Sequence, residues 1–509
     1  MHLKHLVSGT DIRGIVSKFE DKEVNLGVEE IKFIAKGFGL WLENKSLKKG
    51  ELKNRKLKVS IGYDARITGP EFSKIIISVL NEMGMDVYDC KMSITPSLFM
   101  TTIFEEYKSD GAIMITASHL PSYYNGLKFF SIDGGLEKEN VFEILELAEK
   151  NKLKCNIKSE KILDEEKGII KDKKLAYDYA EYLRELIIKE TGGKKNPLEG
   201  FKVLIDAGNG AAGFFAEEVI EKLGGDSKGS QFLNPDGTFP NHAPNPEEKE
   251  AMESIKKAVI ENKADFGIIF DADGDRSAFV DKNGREINRN KLIALLSEII
   301  LKDHSGATIV TDSVTSMELK NFIESRGGIH HRYKRGYKNV INEAKKLNKK
   351  GKYTPLAIET SGHAAFIDNY FLDDGAYMAA VLLIKLINSK KQNINFTEIL
   401  SELKDPKEEI EFRFKINDSE SKNLGDKILE DLSEYVKNVN GWVIEEPNYE
   451  GIRVIVNENS WFLLRMSLHE PLLCLNVETG ENGNLKKILK ELENFLNNYE
   501  KIDISPLRK

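Results

Sequence analysis

The sequence predicts an α/β protein, with repeated α/β units over the first ~400 residues and a smaller α+β domain after them. Short apolar runs that end in a polar residue or a turn recur at 59–64, 112–116, 203–206, 267–271, 308–312 and 355–359. Buried parallel strands feeding a loop have this form. Helical spacing of apolar residues fills the intervals, at 70–83, 211–223, 290–301 and 374–388. The pattern then changes: 409–416 alternates like a strand, 419–436 follows a helical period, and 451–477 holds further strands before a final helix.

At 509 residues the chain exceeds what one hydrophobic core supports, so three or four domains are expected. Lys-rich stretches at 150–174 and 390–407 read as junctions or as solvated helix surface. Placing boundaries there gives 1–160 with a serine loop, 170–283 with an acidic loop, 284–396 with a sugar-type loop, and 405–509 as the small domain. The formal net charge of −8 argues against a general nucleic-acid surface and favours a small anionic ligand held by local basic islands. Cys90, Cys155 and Cys474 lie far apart with no metal-ligand or redox spacing, as reduced thiols of a cytoplasmic protein would. No run approaches the ~18 apolar residues of a membrane span, and the first residues lack a signal-peptide core. A soluble cytoplasmic monomer or homodimer without membrane or nucleic-acid partners is expected.

The loop Thr116-Ala117-Ser118-His119-Leu120-Pro121, with Asn125, Gly126 and Lys128 behind it, sets a hydroxyl beside a histidine and a lysine. It follows an apolar strand, and open α/β sheets bind ligands beyond the carboxyl ends of their strands. Ser118 therefore reads as a phosphorylatable serine facing a cleft. Asp271-Ala272-Asp273-Gly274-Asp275-Arg276 places three carboxylates on one turn. That clustering is costly without a cation, and hard oxygen ligands suit Mg²⁺, while Arg276 can meet a phosphoryl group. A solvated acidic turn is the competing reading. A calcium-binding EF-hand loop fails, because Arg276 and Lys282 stand where it needs Gly and Glu. A phosphatase with Asp271 as nucleophile stays open but leaves the serine loop unexplained.

Glu359-Thr360-Ser361-Gly362-His363, with Asp373 and Asp374 after it, supplies donors and acceptors for a polyhydroxylated ligand, although a capped loop with a hydrogen-bonded histidine has the same local pattern. Arg465-Met466-Ser467-Leu468-His469-Glu470-Pro471 sets a fixed cation and a hydroxyl at a turn; a salt bridge from Arg465 to Glu470 competes with a phosphate grip. Thr10, Asp11 and Arg13 lie in a glycine-bounded turn near the start, and Lys334, Arg335 and Lys338 surround Gly336 in another basic turn.

Taken together and in this order, with Asp206 to Gly210 and the 235–246 segment between them, these pieces resemble the α-D-phosphohexomutase family, which includes phosphoglucomutases, phosphomannomutases and phosphoglucosamine mutases. The resemblance covers nearly the whole chain. It implies three α/β domains and a fourth smaller α+β domain around a central cleft. It further implies that Ser118 carries the phosphoryl group and that Asp271, Asp273 and Asp275 hold Mg²⁺ together with the phosphoserine. Arg13, His119, Lys128 and Arg276 would surround the reacting centre, with His363 or Lys128 moving a proton. Thr10, Lys334, Glu359, Ser361, Arg465, Ser467 and His469 would contact substrate.

The activity implied is an isomerase reaction of carbohydrate metabolism, the interconversion of hexose 1-phosphate and hexose 6-phosphate, of glucose and/or mannose, with hexose 1,6-bisphosphate as activator and intermediate. Leu120 replaces the usual Asn of the family after Ser-His, and Leu468-His469 replaces the common Gly-Thr or Asn-Thr. The downstream family arginine is absent, with Cys474 near its place. A phosphoglucosamine mutase, a metal-dependent sugar phosphatase and a non-catalytic sugar-phosphate-binding protein are the alternatives.

Overall fold

The computed structural model describes residues 3–48, 55–154, 167–392, 394–418, 420–467 and 470–508. Cys155 and much of the Lys-rich stretch 150–174 lie outside the described residues. The chain forms two compact units, Met1–Ile287 with Leu372–Ile394, and Asn288–Phe371 with Asn395–Lys509. No helix among the described residues is long and apolar enough to cross a membrane.

The first unit holds two sheets. In the larger, the strands run in the order Val7–Ser8, Asp11–Ile15, Tyr124–Ser131, Gly111–Ile115, Lys58–Tyr63, Asp86–Met92 and Ile170–Asp172. The last four are mutually parallel. Every residue of Gly111–Ile115 is buried, the physical basis of its unbroken apolar run. Val59, Ile61, Ile113 and Ile115 are fully buried, and Ile34, Phe38, Ile76 and Ile144 from flanking helices complete a core beneath the sheet. The helix Gly69–Glu82 begins with Pro70 in its first turn, where a missing N–H costs nothing.

The second sheet runs Glu286–Ile287, Ser277–Asp281, Phe266–Phe270, Val203–Asp206. Val203–Asp206 lies parallel to Phe266–Phe270, which pairs antiparallel with Ser277–Asp281. The acidic segment is therefore the turn of a hairpin between two fully buried strands. Gly274 adopts φ +69, and a Cβ there would lie 2.8 Å from Ile94 Cγ2, so a side chain would meet both backbone strain and a clash.

The 211–223 segment departs from the regular helix that its spacing predicts. It winds as a 3₁₀ turn Ala211–Gly213, a π turn Phe215–Ile220 and a second 3₁₀ turn Glu221–Leu223. The buried face Phe215, Ala216, Val219 and Ile220 is the one that periodicity marks, but a short apolar stripe does not distinguish a winding of 3.6 residues from its neighbours.

The helix Gly375–Lys391 packs on Leu175–Glu190 within the first unit. Asp374 caps it, accepting from Ala376 N and Tyr377 N, and also accepts from Tyr179 Oη at 2.5 Å. Both partners are fully buried. Tyr179→Phe removes a buried hydrogen bond to a carboxylate, so urea unfolding should show a loss of about 1–3 kcal/mol.

The second unit also holds two sheets. One runs Ile329–Arg332, Thr308–Thr311, Leu356–Ile358, Ala364–Phe366, its first three strands parallel. The other is antiparallel throughout, in the order Glu408–Lys415, Leu472–Thr479, Ser460–Met466, Ile452–Asn457, Val443–Ile444. The helices Ser421–Val436 and Asn484–Leu496 bury Ile428, Leu432, Ile488 and Leu492 against one face of this second sheet. The architecture is thus three α/β domains and a fourth β-rich domain.

Candidate phosphoryl-transfer and metal site

Ser118 follows the buried strand Gly111–Ile115, and the chain turns back at once into Tyr124–Ser131. Its φ of +51 is unusual for a residue with a side chain. Oγ donates to Asp271 Oδ2 at 3.1 Å and lies 3.3 Å from His119 Nδ1. The serine loop and the acidic hairpin turn, 153 residues apart in sequence, are thereby joined.

Ligand oxygens of Asp271, Asp273 and Asp275 fall within 4.8 Å of one another, all in buried side chains. Lys128 Nζ donates to Asp273 Oδ2 at 2.8 Å and also to Asp275. Thr95 Oγ1 donates to the same Asp273 oxygen at 2.5 Å. Arg276 Nε donates to Asp271 Oδ2 at 3.0 Å, and its Nη1 reaches Asn245 Oδ1 at 3.2 Å and Glu247 Oε2 at 3.4 Å. Burial, reinforced by Asp275 and Asp273, drives the Asp271 carboxyl well above the usual range. Burial would raise Asp273 too, but the Lys128 ammonium overrides it and holds that carboxyl low. Burial opposes the Arg276 charge, yet Asp271 and Asp275 keep that guanidinium firmly protonated.

These residues fit a divalent cation. Asp273 Oδ1 is buried without a hydrogen-bond partner, an oxygen left with ligand capacity beside two further carboxylates. Hard, closely spaced oxygens of this kind are the donor set of an oxygen-seeking metal.

Arg13 sits on Asp11–Ile15 opposite Gly126, with Nη2 donating to Asp11 Oδ2 at 3.1 Å and Nε buried without a hydrogen-bond partner. Thr10 Oγ1 lies 3.5 Å from Asp11 Oδ1. In the first unit the structure therefore brings Ser118, His119, Lys128, Asp271, Asp273, Asp275 and Arg276 together. It adds Thr95 and Glu247, which no local motif marks, and Asn245, which belongs to the 235–246 segment.

In the second unit Glu359 is 4 % exposed, and its Oε1 accepts from Gly336 N at 2.6 Å. Burial, then Asp312, pushes its carboxyl up to about 7. Thr360 Oγ1 donates to Asp312 Oδ2 at 2.8 Å, so Asp312 is a buried acid of this loop that no sequence motif marks. His363 stacks on Tyr337 with ring centroids 5.1 Å apart, and Ser361 is half-buried. Lys334 is exposed, whereas its neighbour Arg335 turns inward toward Asp312 and Glu411, at 4.0 and 3.8 Å.

Arg465 is 5 % exposed, with Nη1 donating to Met466 O at 3.3 Å and Nε buried without a hydrogen-bond partner. Glu470 faces Arg413 at 3.9 Å, so the competing salt bridge from Arg465 is not the geometry found. Ser467 Oγ accepts from Glu470 N at 3.3 Å. His469, like Leu468, lies outside the described residues.

The raised Glu359 carboxyl has a consequence for stability. Between its ordinary 4.5 and about 7 the folded chain holds a proton that the unfolded chain has released, so stability falls as pH rises through that window. Denaturant unfolding at about pH 5 and about pH 7.5 should show wild type losing roughly 2 kcal/mol more than Glu359→Gln. An equal loss in both proteins would contradict the assignment.

Three family models match in order: the phosphoglucomutase/phosphomannomutase alpha/beta/alpha domains I, II and III, over residues 4–154, 178–284 and 288–404. The chain belongs to the phosphoglucomutase/phosphomannomutase family. Its similarity to individual members runs end to end. A phosphomannomutase/phosphoglucomutase of Pseudomonas putida is 31 % identical over 484 residues, 94 % of this chain and 92 % of that one. A phosphomannomutase of Methanocaldococcus jannaschii is 28 % identical over 490 residues, 96 % of each. Among solved structures, a phosphoglucomutase/phosphomannomutase family protein from Burkholderia thailandensis has the same fold, with a TM-score of 0.78 at 24 % identity over 98 % of both chains. Members of the phosphoglucomutase/phosphomannomutase family are mutases, and this chain is accordingly an enzyme of the isomerase class.

Proposed function

We propose that this phosphohexomutase interconverts the 1-phosphate and 6-phosphate of glucose and/or mannose, with phospho-Ser118 as donor and hexose 1,6-bisphosphate as bound intermediate. The observation that carries the reading is Ser118 Oγ, 3.1 Å from a carboxylate of a buried acidic triad and flanked by His119, Lys128 and Arg276. In the first transfer the bond from phosphorus to Ser118 Oγ breaks and one to a sugar hydroxyl oxygen forms. The hydroxyl proton passes to His363, while Lys128, an ammonium donating to Asp273 and Asp275, adds positive charge beside the reacting centre. The intermediate reorients, the bond from its other phosphorus to the sugar oxygen breaks as one to Ser118 Oγ forms again, and the proton returns to the freed sugar oxygen, leaving the sugar phosphate isomerised.

Phosphoryl transfer needs positioning and neutralisation of oxygen charge more than covalent machinery. Mg²⁺ held by Asp271, Asp273, Asp275 and the phosphoserine would supply Lewis-acid neutralisation of the phosphoryl oxygens. Arg276 and Arg13 add fixed cations. Thr10, Lys334, Glu359 and Ser361 are the proposed sugar contacts, and Arg465, Ser467 and His469 the proposed grip on the non-reacting phosphate. A phosphatase using Asp271 as nucleophile fits poorly, because that carboxyl is fully buried and engaged by both Ser118 and Arg276.

The test compares turnover of glucose 1-phosphate, mannose 1-phosphate and glucosamine 1-phosphate with Mg²⁺ and a trace of hexose 1,6-bisphosphate. Formation of glucose or mannose 6-phosphate supports the proposal, turnover of glucosamine phosphate alone moves the enzyme to the amino-sugar branch, and release of inorganic phosphate alone rejects mutase chemistry.

A further inference from the structure

Arg66 lies just beyond the strand Lys58–Tyr63, in no motif of the chemistry above, and is 1 % exposed. Its guanidinium donates to four main-chain carbonyls of the serine loop. Nη1 reaches Pro121 O at 2.9 Å and Tyr124 O at 2.7 Å, and Nη2 reaches Ser118 O at 2.6 Å and Leu120 O at 2.5 Å. Nε faces the fully buried Asp64 Oδ2 at 3.3 Å. Asp64 Oδ2 in turn accepts from Thr116 Oγ1 at 2.6 Å, and Thr116 Oγ1 accepts from Ser118 N at 2.8 Å. The Ser118 peptide groups are thus held on both sides, the N–H through Thr116 and Asp64, the carbonyl by Arg66.

Such a grip is what a serine at φ +51 requires, since the left-handed conformation is disfavoured for a residue with a Cβ and persists only when its surroundings over-determine it. A planar fork whose two terminal nitrogens each donate twice suits four carbonyls in a way that a lysine point charge does not. The second domain closes over the same residue. The Phe239 ring centroid lies 5.3 Å from the guanidinium, and a Cβ on Gly237 would stand 2.6 Å from Ala65 O. The segment carrying them is pinned by His242 Nε2 on Asp206 at 3.1 Å and continues to Asn245 and Glu247 on Arg276. One segment therefore touches both the holder of the serine loop and the arginine of the acidic turn.

We propose that Arg66 is a positioning residue for phosphoryl transfer, its fork fixing the serine-loop main chain so that Ser118 Oγ stays aimed at the carboxylate triad, with the 235–246 segment sealing it in place. The inference rests on the reading of Ser118 as phosphoryl carrier. Two variants of the full-length enzyme test it: Arg66→Lys, which keeps the charge but loses the fork, and Thr116→Val, which cuts the hydroxyl link from Asp64 to Ser118 N.

For Arg66→Lys, kcat should fall about 10²-fold, the scale of a misplaced reacting group. KM for the hexose phosphate should stay within about threefold, because the substrate contacts are untouched. Amide hydrogen exchange over 116–124 should quicken about tenfold while the rest of the chain exchanges as in wild type. Thr116→Val should move the same readouts in the same direction, and it decides the matter if Arg66→Lys does not fold. An active wild type whose folded variants keep wild-type kcat, or wild-type exchange in the serine loop, overturns the inference alone. A wild type that neither charges Ser118 nor turns over any hexose phosphate overturns the carrier reading beneath it, and the exchange data still show whether Arg66 holds the loop.

Discussion

Ser118→Ala should abolish hexose-phosphate conversion, lowering kcat/KM by at least ~10⁴, the loss expected when a covalent route is closed and only binding remains. Folding should survive. The serine hydroxyl makes one hydrogen bond to Asp271 and one contact with His119, and the loop's main chain is held by partners other than that hydroxyl. Alanine also tolerates the site no worse than serine does, since both carry the Cβ that makes φ +51 unfavourable. The measurement is coupled-assay turnover together with intact mass before and after exposure to hexose 1,6-bisphosphate. Wild type should gain one phosphoryl group and the variant none. Turnover in the variant above roughly one per cent of wild type is incompatible with a serine carrier, and phosphate release that survives the change would point to Asp271 as a nucleophile.

The second large effect is expected at Asp273→Asn. Asp273 is held ionised by Lys128 against the cost of burial, accepts from Thr95, and keeps Oδ1 free of hydrogen bonds. The amide retains an acceptor for Lys128 and Thr95 but removes one charge from the triad. Lys128 still meets Asp275, so its charge is not left uncompensated and the fold should hold. Activity at limiting Mg²⁺ should drop by about 10²- to 10³-fold, and the Mg²⁺ concentration for half-maximal activity should rise at least about tenfold, since carboxylate charge count sets affinity for hard cations. Unchanged Mg²⁺ dependence with lost activity would instead give Asp273 a role limited to holding Lys128.

The serine and acidic loops are legible in the sequence because each lies just beyond an apolar strand, where chain direction alone places a turn at one edge of a sheet. The runs at 112–116 and 267–271 become Gly111–Ile115 and Phe266–Phe270, with Ser118 and Asp271 immediately after them. Arg66 and Asp312 are not legible there. A buried arginine that binds carbonyls and a buried acid that raises its neighbour's protonation look, in a linear chain, like surface charges at strand ends. Thr95 and Glu247 are hidden for a related reason, since hydrogen bonds across 178 or 29 residues leave no local spacing to read.

Local order by itself determined the strand-and-helix alternation, the order of the loops and the chemical type of each, because period-2 and helical burial patterns and the identities of side chains at turns are local quantities. Tertiary structure alone decided which charges compensate one another and what holds them. Lys128 settles on Asp273 and Asp275, and Arg276 on Asp271, because burying three carboxylates on one turn demands cations from wherever the folded chain can supply them, whereas Arg66 lies under Ser118 beside a buried acid of its own, Asp64. The helix Gly375–Lys391 likewise joined the first unit through the buried Tyr179–Asp374 hydrogen bond, a pairing across 195 residues that only the folded chain brings within reach.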